Sequence, residues 1–218
     1  MKPRLSQKHN AAMTLFEVGV IVAVVMIFFV LFAPAFFGPH RIISRIGCAN
    51  NVKQELLAFK IWAGDNNDTL PMGISVTNGG SMEMVATGNV AFTFLVMSNE
   101  LSTPKVLFCP DDPSRFSTND FGGLSNSNIS YFISADMTND ANPQMLLTGD
   151  SDLALGGKML RPGLVSLWTN DPVVWSTTRH NKSGNLGMAD GSVQSTTSGS
   201  LRTYLQQTGL ATNRFALP

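Results

Sequence analysis

The chain has 218 residues, which is enough for one domain with an appended element and too few for a multidomain enzyme. Charged residues make up 14 % of it, with 15 Lys and Arg against 15 Asp and Glu. Three of the basic residues, Lys2, Arg4 and Lys8, precede the first apolar run, so the body of the chain is mildly acidic. A surface that binds nucleic-acid phosphates needs clustered Lys and Arg, and the composition therefore argues against nucleic acid as a partner.

Residues 13–37 form an apolar run of 25 residues in which Glu17 is the only ionisable side chain. A helix rises 1.5 Å per residue, so a run of this length spans a bilayer core of about 30 Å. It is longer than the apolar part of a secretory signal peptide and lacks the small-residue cleavage site that follows one. The basic residues before it predict a cytoplasmic amino terminus, with the rest of the chain outside.

Glu17 requires an explanation, because an unpaired carboxylate in a membrane helix costs on the order of 2–3 kcal/mol. It either lies shallow enough to reach the lipid headgroups or is neutralised by a positive group from a neighbouring subunit, such as a free amino terminus. The position of the carboxylate alone does not choose between these alternatives.

The basic leader and the apolar run resemble the class III signal of type IV prepilins and type II secretion pseudopilins. That signal has a small residue before the cut, a hydrophobic residue after it, a Glu at the fifth mature position and an unbroken apolar helix. Ala12, Met13 and Glu17 match these three positions. The family more often has Gly before the cut and Phe after it.

The resemblance implies that residues 1–12 are a cytoplasmic leader and that the apolar run is a transmembrane helix through which subunits polymerise. Prepilin peptidase would cut between Ala12 and Met13 and methylate the Met13 amine. Glu17 would then pair with that amine on an adjacent subunit during assembly at an inner-membrane platform.

Residues 38–64 are predicted to form the soluble half of the long helix, with a bend at Gly38 and Pro39. Apolar side chains recur there in steps of three and four, which is typical of a helix face packed on a core. These side chains are Ile42, Ile46, Ala49, Val52, Leu56, Phe59 and Ala63. Turn-forming residues at 64–68 end the helix. A calcium site is the alternative for that segment. Because the segment lacks the Gly and the final Glu of a hand-type loop, no cofactor is expected.

Residues 65–218 are predicted to be an extracytoplasmic α+β head, in which a small antiparallel sheet packs on the long helix as in the pilins that the chain resembles. The expected elements are a short helix at 90–101, strands at 105–108, 129–134 and 145–148, and a terminal helix at 201–207. The clearest hairpin pairs residues 185–189 with 192–196 through a type I′ turn at Asp190 and Gly191.

Three further motifs resemble those of a large set of pilin-like proteins that is abundant in planctomycete and verrucomicrobial bacteria. Residues 48–54, Cys-Ala-Asn-Asn-Val-Lys-Gln, resemble their Cys-x-Asn-Asn-Leu-x-Gln. Residues 109–112, Cys-Pro-Asp-Asp, match their Cys-Pro-x-Asp. His180, nine intervening residues and Asp190-Gly191 match their carboxy-terminal motif, so the resemblance reaches from the leader almost to the end of the chain.

The two cysteines, Cys48 and Cys109, lack the closely spaced partners of a structural zinc site, so no metal site is predicted from them. If the head lies outside the cytoplasm, a disulfide between them is one alternative. Two buried free thiols are the other.

His180 and Asp190 have two alternative roles. The first is a hydrogen bond that pins the chain entering the hairpin to its turn. The second is a metal site with Asp150 or Asp152, although histidine is a poor ligand for calcium. Catalysis by Ser183 with His180 is not expected, because no nucleophile elbow or oxyanion motif accompanies them.

These features predict a structural subunit rather than an enzyme: a pilin or pseudopilin of a type IV pilus-like or type II secretion filament. The expected partners are prepilin peptidase, other pilins or pseudopilins and the inner-membrane assembly platform. The expected location is a single pass through the inner membrane with a periplasmic head. The rival interpretation is a membrane-anchored binding protein or enzyme that uses the helix as an uncleaved tether.

Overall fold

The computed structural model describes three stretches of the chain, residues 13–36, 40–139 and 142–218. The expected leader with Ala12 and the expected bend at Gly38 and Pro39 lie outside these residues. The described part is a mixed α+β structure with an N-terminal apolar helix and antiparallel sheets. The chain divides into two compact units, Met1–His40 and Arg41–Pro218.

The first unit contains helix α1 (Leu15–Phe36), whose 22 residues extend about 33 Å. Among the described residues it is the one helix long and apolar enough to cross a membrane. Its most apolar stretch, Leu15–Ala33, has a mean hydropathy of 2.9 and no side chain buried within the chain. Such a helix is compatible with a single-pass membrane anchor.

The second unit begins at Arg41, within helix α2 (His40–Asp65), and this helix ends where the turn-forming residues were predicted to end it. Asn67 and Asp68 follow with left-handed backbone angles, φ 55° and 54°, as residues with short polar side chains tolerate. Val52, Leu56, Phe59 and Ala63 are buried, as expected for the core-facing side of the helix; these side chains are 0–4 % exposed.

Ile46 was assigned to this buried face, and that assignment is wrong. Its side chain is 58 % exposed. At about 100° per residue, Ile46 lies about 120° around the helix from Val52. Steps of three and four residues therefore look continuous in the sequence, although Ile46 is no longer on the core-facing side of the helix. Cys48 begins the buried face instead.

Four shorter helices and nine strands are described in the head. The helices are α3 (Met82–Ala86), α4 (Val90–Val96), α5 (Ser98–Leu101) and α6 (Ser198–Gln207). The strands are β1 (Tyr131–Ser134), β2 (Leu146–Asp150), β3 (Leu153–Leu155), β4 (Lys158–Met159), β5 (Gly163–Trp168), β6 (Val173–Trp175), β7 (Ser183–Met188), β8 (Val193–Thr197) and β9 (Thr212–Leu217). Six of them form an antiparallel sheet in the order β5-β9-β1-β2-β7-β8, and three form a second sheet in the order β4-β3-β6.

Strands β1, β2 and β7 of the larger sheet are buried on both faces, whereas the edge strands β5 and β8 are partly exposed. Alternate residues of β1 enter different core clusters: Tyr131 and Ile133 pack on the α2 side, and Phe132 packs on the side of α6 and the smaller sheet. α2 approaches the sheet closely at Gly187, where an added Cβ would lie 3.0 Å from side-chain atoms of Val52 and Leu56. The missing side chain therefore makes room for the helix.

Two local predictions about the head are wrong. Residues 105–108 were expected to be a strand, but Pro104–Leu107 is a 3-10 turn, with proline near its start and Thr103 accepting a hydrogen bond from the Lys105 backbone. The hairpin loop is also not type I′. Gly191 alone of the predicted turn pair has a positive φ, 86°, and its N–H donates to the Met188 carbonyl at 2.9 Å, as in a three-residue loop ending in a left-handed glycine.

Candidate functional site

Helix α1 begins with two residues that cap each other. The Thr14 N–H donates to Glu17 Oε2 at 2.8 Å, and the Glu17 N–H donates to Thr14 Oγ1 at 3.3 Å. This reciprocal pair is a capping box, which satisfies two backbone donors that a helix start leaves open. Glu17 therefore has a role within its own chain besides the two alternatives considered from the sequence.

Met13 lies one residue before this cap and is 60 % exposed. Ala12, the other side of the predicted cut, is outside the described residues. Glu17 is exposed in the isolated chain, and its negative charge lies at the positive end of the helix dipole. The Glu17 carboxylate and the predicted new amino terminus, Met13, therefore lie close together in sequence at the start of α1.

In the head, Cys48 of α2 and Cys109 are joined by a disulfide, with Cα atoms 5.3 Å apart. Both residues are fully buried. The bond links residues separated by 61 positions, and closing a loop of that length stabilises the fold by about 4 kcal/mol in the chain-entropy account. It ties α2 to the rest of the head.

His180 packs directly against this disulfide. Its Nε2 lies 3.3 Å from Cys109 Sγ and 3.9 Å from Asp150 Oδ2, and its Nδ1 lies 3.1 Å from Asp111 Oδ2. The backbone that carries it is unusual, because His180, Asn181 and Lys182 all have positive φ, 45°, 51° and 61°. Such angles are unfavourable for residues with a Cβ, so the surrounding contacts hold this segment in place.

The predicted hydrogen bond between His180 and Asp190 is wrong. The two residues flank opposite ends of β7, whose six extended residues separate them by about 20 Å. Asp190 instead accepts the Ser192 N–H at 2.8 Å, and this hydrogen bond lowers the pKa of its carboxyl group. The two ends of the sequence motif therefore lie in different parts of the head: His180 contacts the disulfide, and Asp190 belongs to the hairpin loop.

Of the two acidic residues considered as metal partners of His180, only Asp150 approaches it. Asp152 faces Arg179 instead, with 3.8 Å between its Oδ1 and Arg179 Nε. Arg179 is buried, lies 3.1 Å from Asp112 Oδ2, and donates to the Ser130 carbonyl at 2.8 Å. Sequence reasoning missed Arg179, and its position next to His180 was the only available signal.

Buried acidic groups outnumber Arg179 in this cluster. Asp112, Asp150 and Asp152 are at most 4 % exposed. Burial raises the pKa of Asp152 to about 7, against the opposing influence of Arg179, and burial also raises the pKa of Asp150. Binding a proton or a further cation in this cluster is therefore more favourable than leaving all three carboxylates ionised.

Glu55 is a further buried acid that sequence reasoning missed, since it lies among the apolar residues of α2. Its Oε2 and the Phe132 carbonyl both lie 2.8 Å from Thr148 Oγ1. One hydroxyl proton cannot serve both acceptors fully, and a protonated Glu55 that donates to Thr148 satisfies all three groups. Burial accordingly raises the pKa of Glu55 well above its usual value.

A cleft of about 640 Å³ opens beside the disulfide. We call it the His180 cleft; its lining includes Arg45, Ile46, Asp111, Arg179, His180 and Ser183. Asp111 is its partly exposed carboxylate, with 24 % of the side chain accessible. The cleft is large enough for a small ligand, and its polar groups come from α2, from the segment after Cys109 and from the segment before β7.

No protein-family model matches this chain. Searches among curated proteins and among solved structures also find no match. The residues and the fold are therefore what bears on function.

Proposed function

We propose that this protein is a structural subunit of a type IV pilus-like or type II secretion filament, cleaved by prepilin peptidase and assembled through its N-terminal helix. The observation that supports this most is Glu17, the only ionisable side chain of the apolar run, in the first turn of a 22-residue helix. The signal-like residues Ala12 and Met13 precede it at the matching positions.

Magnitudes favour a partner charge for Glu17. A carboxylate within a membrane helix costs on the order of 2–3 kcal/mol, and each capping hydrogen bond offsets only about 1 kcal/mol of that cost. A positive amine 4 Å away contributes about 4 kcal/mol at an effective dielectric of 20. In the proposal that amine belongs to Met13 of the next subunit, which would make assembly offset the cost of placing Glu17 in the membrane.

The helix surface also suits association. No side chain of Leu15–Ala33 is buried within the chain, so the whole apolar surface is available to lipid or to other helices. Helices in a bilayer associate through close packing and a few polar contacts rather than through the hydrophobic effect. The buried Cys48–Cys109 disulfide fits a head in an oxidising compartment, as the proposed extracytoplasmic location requires.

Two variants separate the assembly role of Glu17 from its capping role. Glu17→Gln removes the charge but keeps a residue that can close a capping box, whereas Thr14→Ala weakens the cap and keeps the charge. Each variant is expressed in a host with a functional prepilin peptidase and assembly system. Mass spectrometry reads the amino terminus, and sedimentation with electron microscopy reads polymer formation.

We expect the wild type and Thr14→Ala to begin with a methylated Met13 and to polymerise. We expect Glu17→Gln to reach the membrane but to lose polymers. Normal polymer yield from Glu17→Gln would contradict the proposal, as would polymer loss in Thr14→Ala alone, which would assign Glu17 to capping.

The His180 cleft favours a second candidate, a membrane-anchored binding protein or enzyme. In that case α1 is an uncleaved tether, and the mature chain keeps Met1. The same mass spectrum of the amino terminus distinguishes the two candidates.

A further inference from the structure

Three metal-ligating side chains from distant parts of the chain meet beside the His180 cleft. The sulfur atoms of Cys48 and Cys109 and a ring nitrogen of His180 all lie within 4.8 Å of one another. In the oxidised chain the two sulfurs are bonded. We propose that the reduced chain binds one thiophilic divalent cation, Zn²⁺, through these two sulfurs and His180 Nε2.

The observed distances are close to those of a zinc site. Tetrahedral zinc has Zn–S bonds of about 2.3 Å and Zn–N bonds of about 2.0–2.1 Å, which place neighbouring sulfur and nitrogen ligands about 3.6 Å apart. His180 Nε2 is already 3.3 Å from Cys109 Sγ. Once the disulfide is open, the main adjustment is separation of the two sulfurs to about 3.8 Å, a distance that follows from the same bond lengths.

Asp111 lies beside the imidazole nitrogen that would not bind the metal. Its Oδ2 is 3.1 Å from His180 Nδ1, which is within ion-pair distance, although Nδ1 has no hydrogen-bond partner among the described residues of the oxidised chain. A proton on Nδ1, facing this carboxylate, leaves the Nε2 lone pair free for the metal. Histidines that bind metals almost always donate their other ring N–H to a carboxylate, a carbonyl or water.

Asp150 provides a carboxylate near His180. It is fully buried, and its Oδ2 lies 3.9 Å from His180 Nε2 and accepts from the Asn185 backbone at 2.6 Å. Its Oδ1 has no hydrogen-bond partner among the described residues. A buried carboxylate with an unpartnered oxygen near His180 is suited to hydrogen-bond a zinc-bound water.

The cleft supplies the entry path that a buried site requires, because Asp111 and His180 both line it. Zinc binding releases the two thiol protons as the thiolates form. The zinc-bound chain and the disulfide-bonded chain are alternative states. An oxidoreductase that carries a disulfide accepts two electrons from the Cys48 and Cys109 thiolates and is reduced to two thiolates. The Cys48–Cys109 bond forms in the same exchange, and Zn²⁺ is released.

The test uses the full chain in detergent micelles under metal-free, anaerobic conditions. A water-soluble phosphine reduces the disulfide to two thiols and is itself converted to the phosphine oxide with oxygen from water. Co²⁺ is then added as a spectroscopic probe, followed by Zn²⁺. We expect one Co²⁺ per chain with thiolate charge-transfer bands and the visible bands of tetrahedral cobalt, full displacement by Zn²⁺, and no such bands from the oxidised chain.

Variants test each ligand. His180→Gln is expected to weaken the affinity more than Asp111→Asn, for which about 10–100-fold is typical of a residue that orients a ligand. Cys48→Ser and Cys109→Ser are expected to abolish the charge-transfer bands. His40→Gln is the matched histidine control and should bind as the wild type does. His180→Gln retains both cysteines, so its oxidised form reports by circular dichroism whether the head still folds.

Three results would overturn the inference. One is a reduced chain that keeps its circular dichroism spectrum and gives no cobalt bands. Another is a His180→Gln variant with wild-type spectra and affinity, which would leave only nonspecific thiolate binding. The third is a head that unfolds on reduction and is not restored by excess Zn²⁺.

Discussion

Glu55→Gln should change how the stability of the head depends on pH. Glu55 is fully buried beside Thr148, and burial raises its folded-state pKa well above the usual value of 4.5. The folded chain therefore keeps a proton that the unfolded chain has already released above pH 4.5. Because the native state binds more protons, the free energy of unfolding falls as the pH rises through this window. A neutral glutamine, which can also hydrogen-bond to Thr148, has no such dependence.

The magnitude follows from one proton. The contribution of Glu55 to the slope is at most about 1.4 kcal/mol per pH unit, lost progressively from the unfolded pKa towards the higher folded pKa. Asp150 and Asp152 also have raised pKa values and contribute slopes of the same sign. The difference between wild type and Glu55→Gln at each pH isolates the Glu55 contribution, provided that the two aspartates respond equally in both proteins.

The measurement is denaturant unfolding of the full chain in micelles at several pH values from 4 to 8. Trp62 and Trp175 are 7 % and 1 % exposed, so their fluorescence reports opening of the head. We expect the variant to gain stability relative to wild type as the pH rises above 4.5. Parallel curves for the two proteins would refute the conclusion that Glu55 is protonated in the folded state.

Two further substitutions test the packing and charge of the head. Gly187→Ala places a Cβ 3.0 Å from side-chain atoms of Val52, Leu56 and Thr148 and should lower the free energy of unfolding by about 1–3 kcal/mol. The control, Gly123→Ala, has no atom within 4 Å of its added Cβ and should lower it far less. Equal effects of the two variants in denaturant unfolding would contradict close packing of α2 on the sheet at Gly187. Arg179→Ala leaves the buried carboxylates of Asp112 and Asp152 without their cation and should lower the free energy of unfolding by about 3–5 kcal/mol. Part of this stability should return at a pH low enough to protonate the carboxylates. A loss of stability that does not vary with pH would contradict this role of Arg179.

Elements with a strong local pattern were predicted well. The apolar helix, the soluble helix ending at Asp65 and the hairpin around Asp190 all follow from periodicity and turn chemistry, which operate over neighbouring residues. The strand predicted at 105–108 failed because Pro104 starts a 3-10 turn that ties Phe108 to Lys105. Cleavage at Ala12 and pairing of Glu17 with another subunit stay predictions.

Strand β9 shows why topology was harder to predict than individual elements. Thr212–Leu217 was not predicted, yet it lies between β5 and β1 within the larger sheet. The smaller sheet of β3, β4 and β6 was likewise not predicted, and each of its three strands has only two or three residues. Pairing of short strands depends on partners far away in sequence, so no local window contains the information.

The amino-acid order alone contains the membrane-length helix, the lone carboxylate near its start and the residues that resemble a prepilin signal, because each depends on neighbours along the chain. The cluster of Cys48, Cys109 and His180 depends on three dimensions. Its members are brought together by α2 packing on the sheet and by the turn before β7, and the same folding places Asp190 at the far end of that strand. Distances between such residues arise only when the chain closes its long loops, which is why spacing in sequence pointed to the wrong partner for His180.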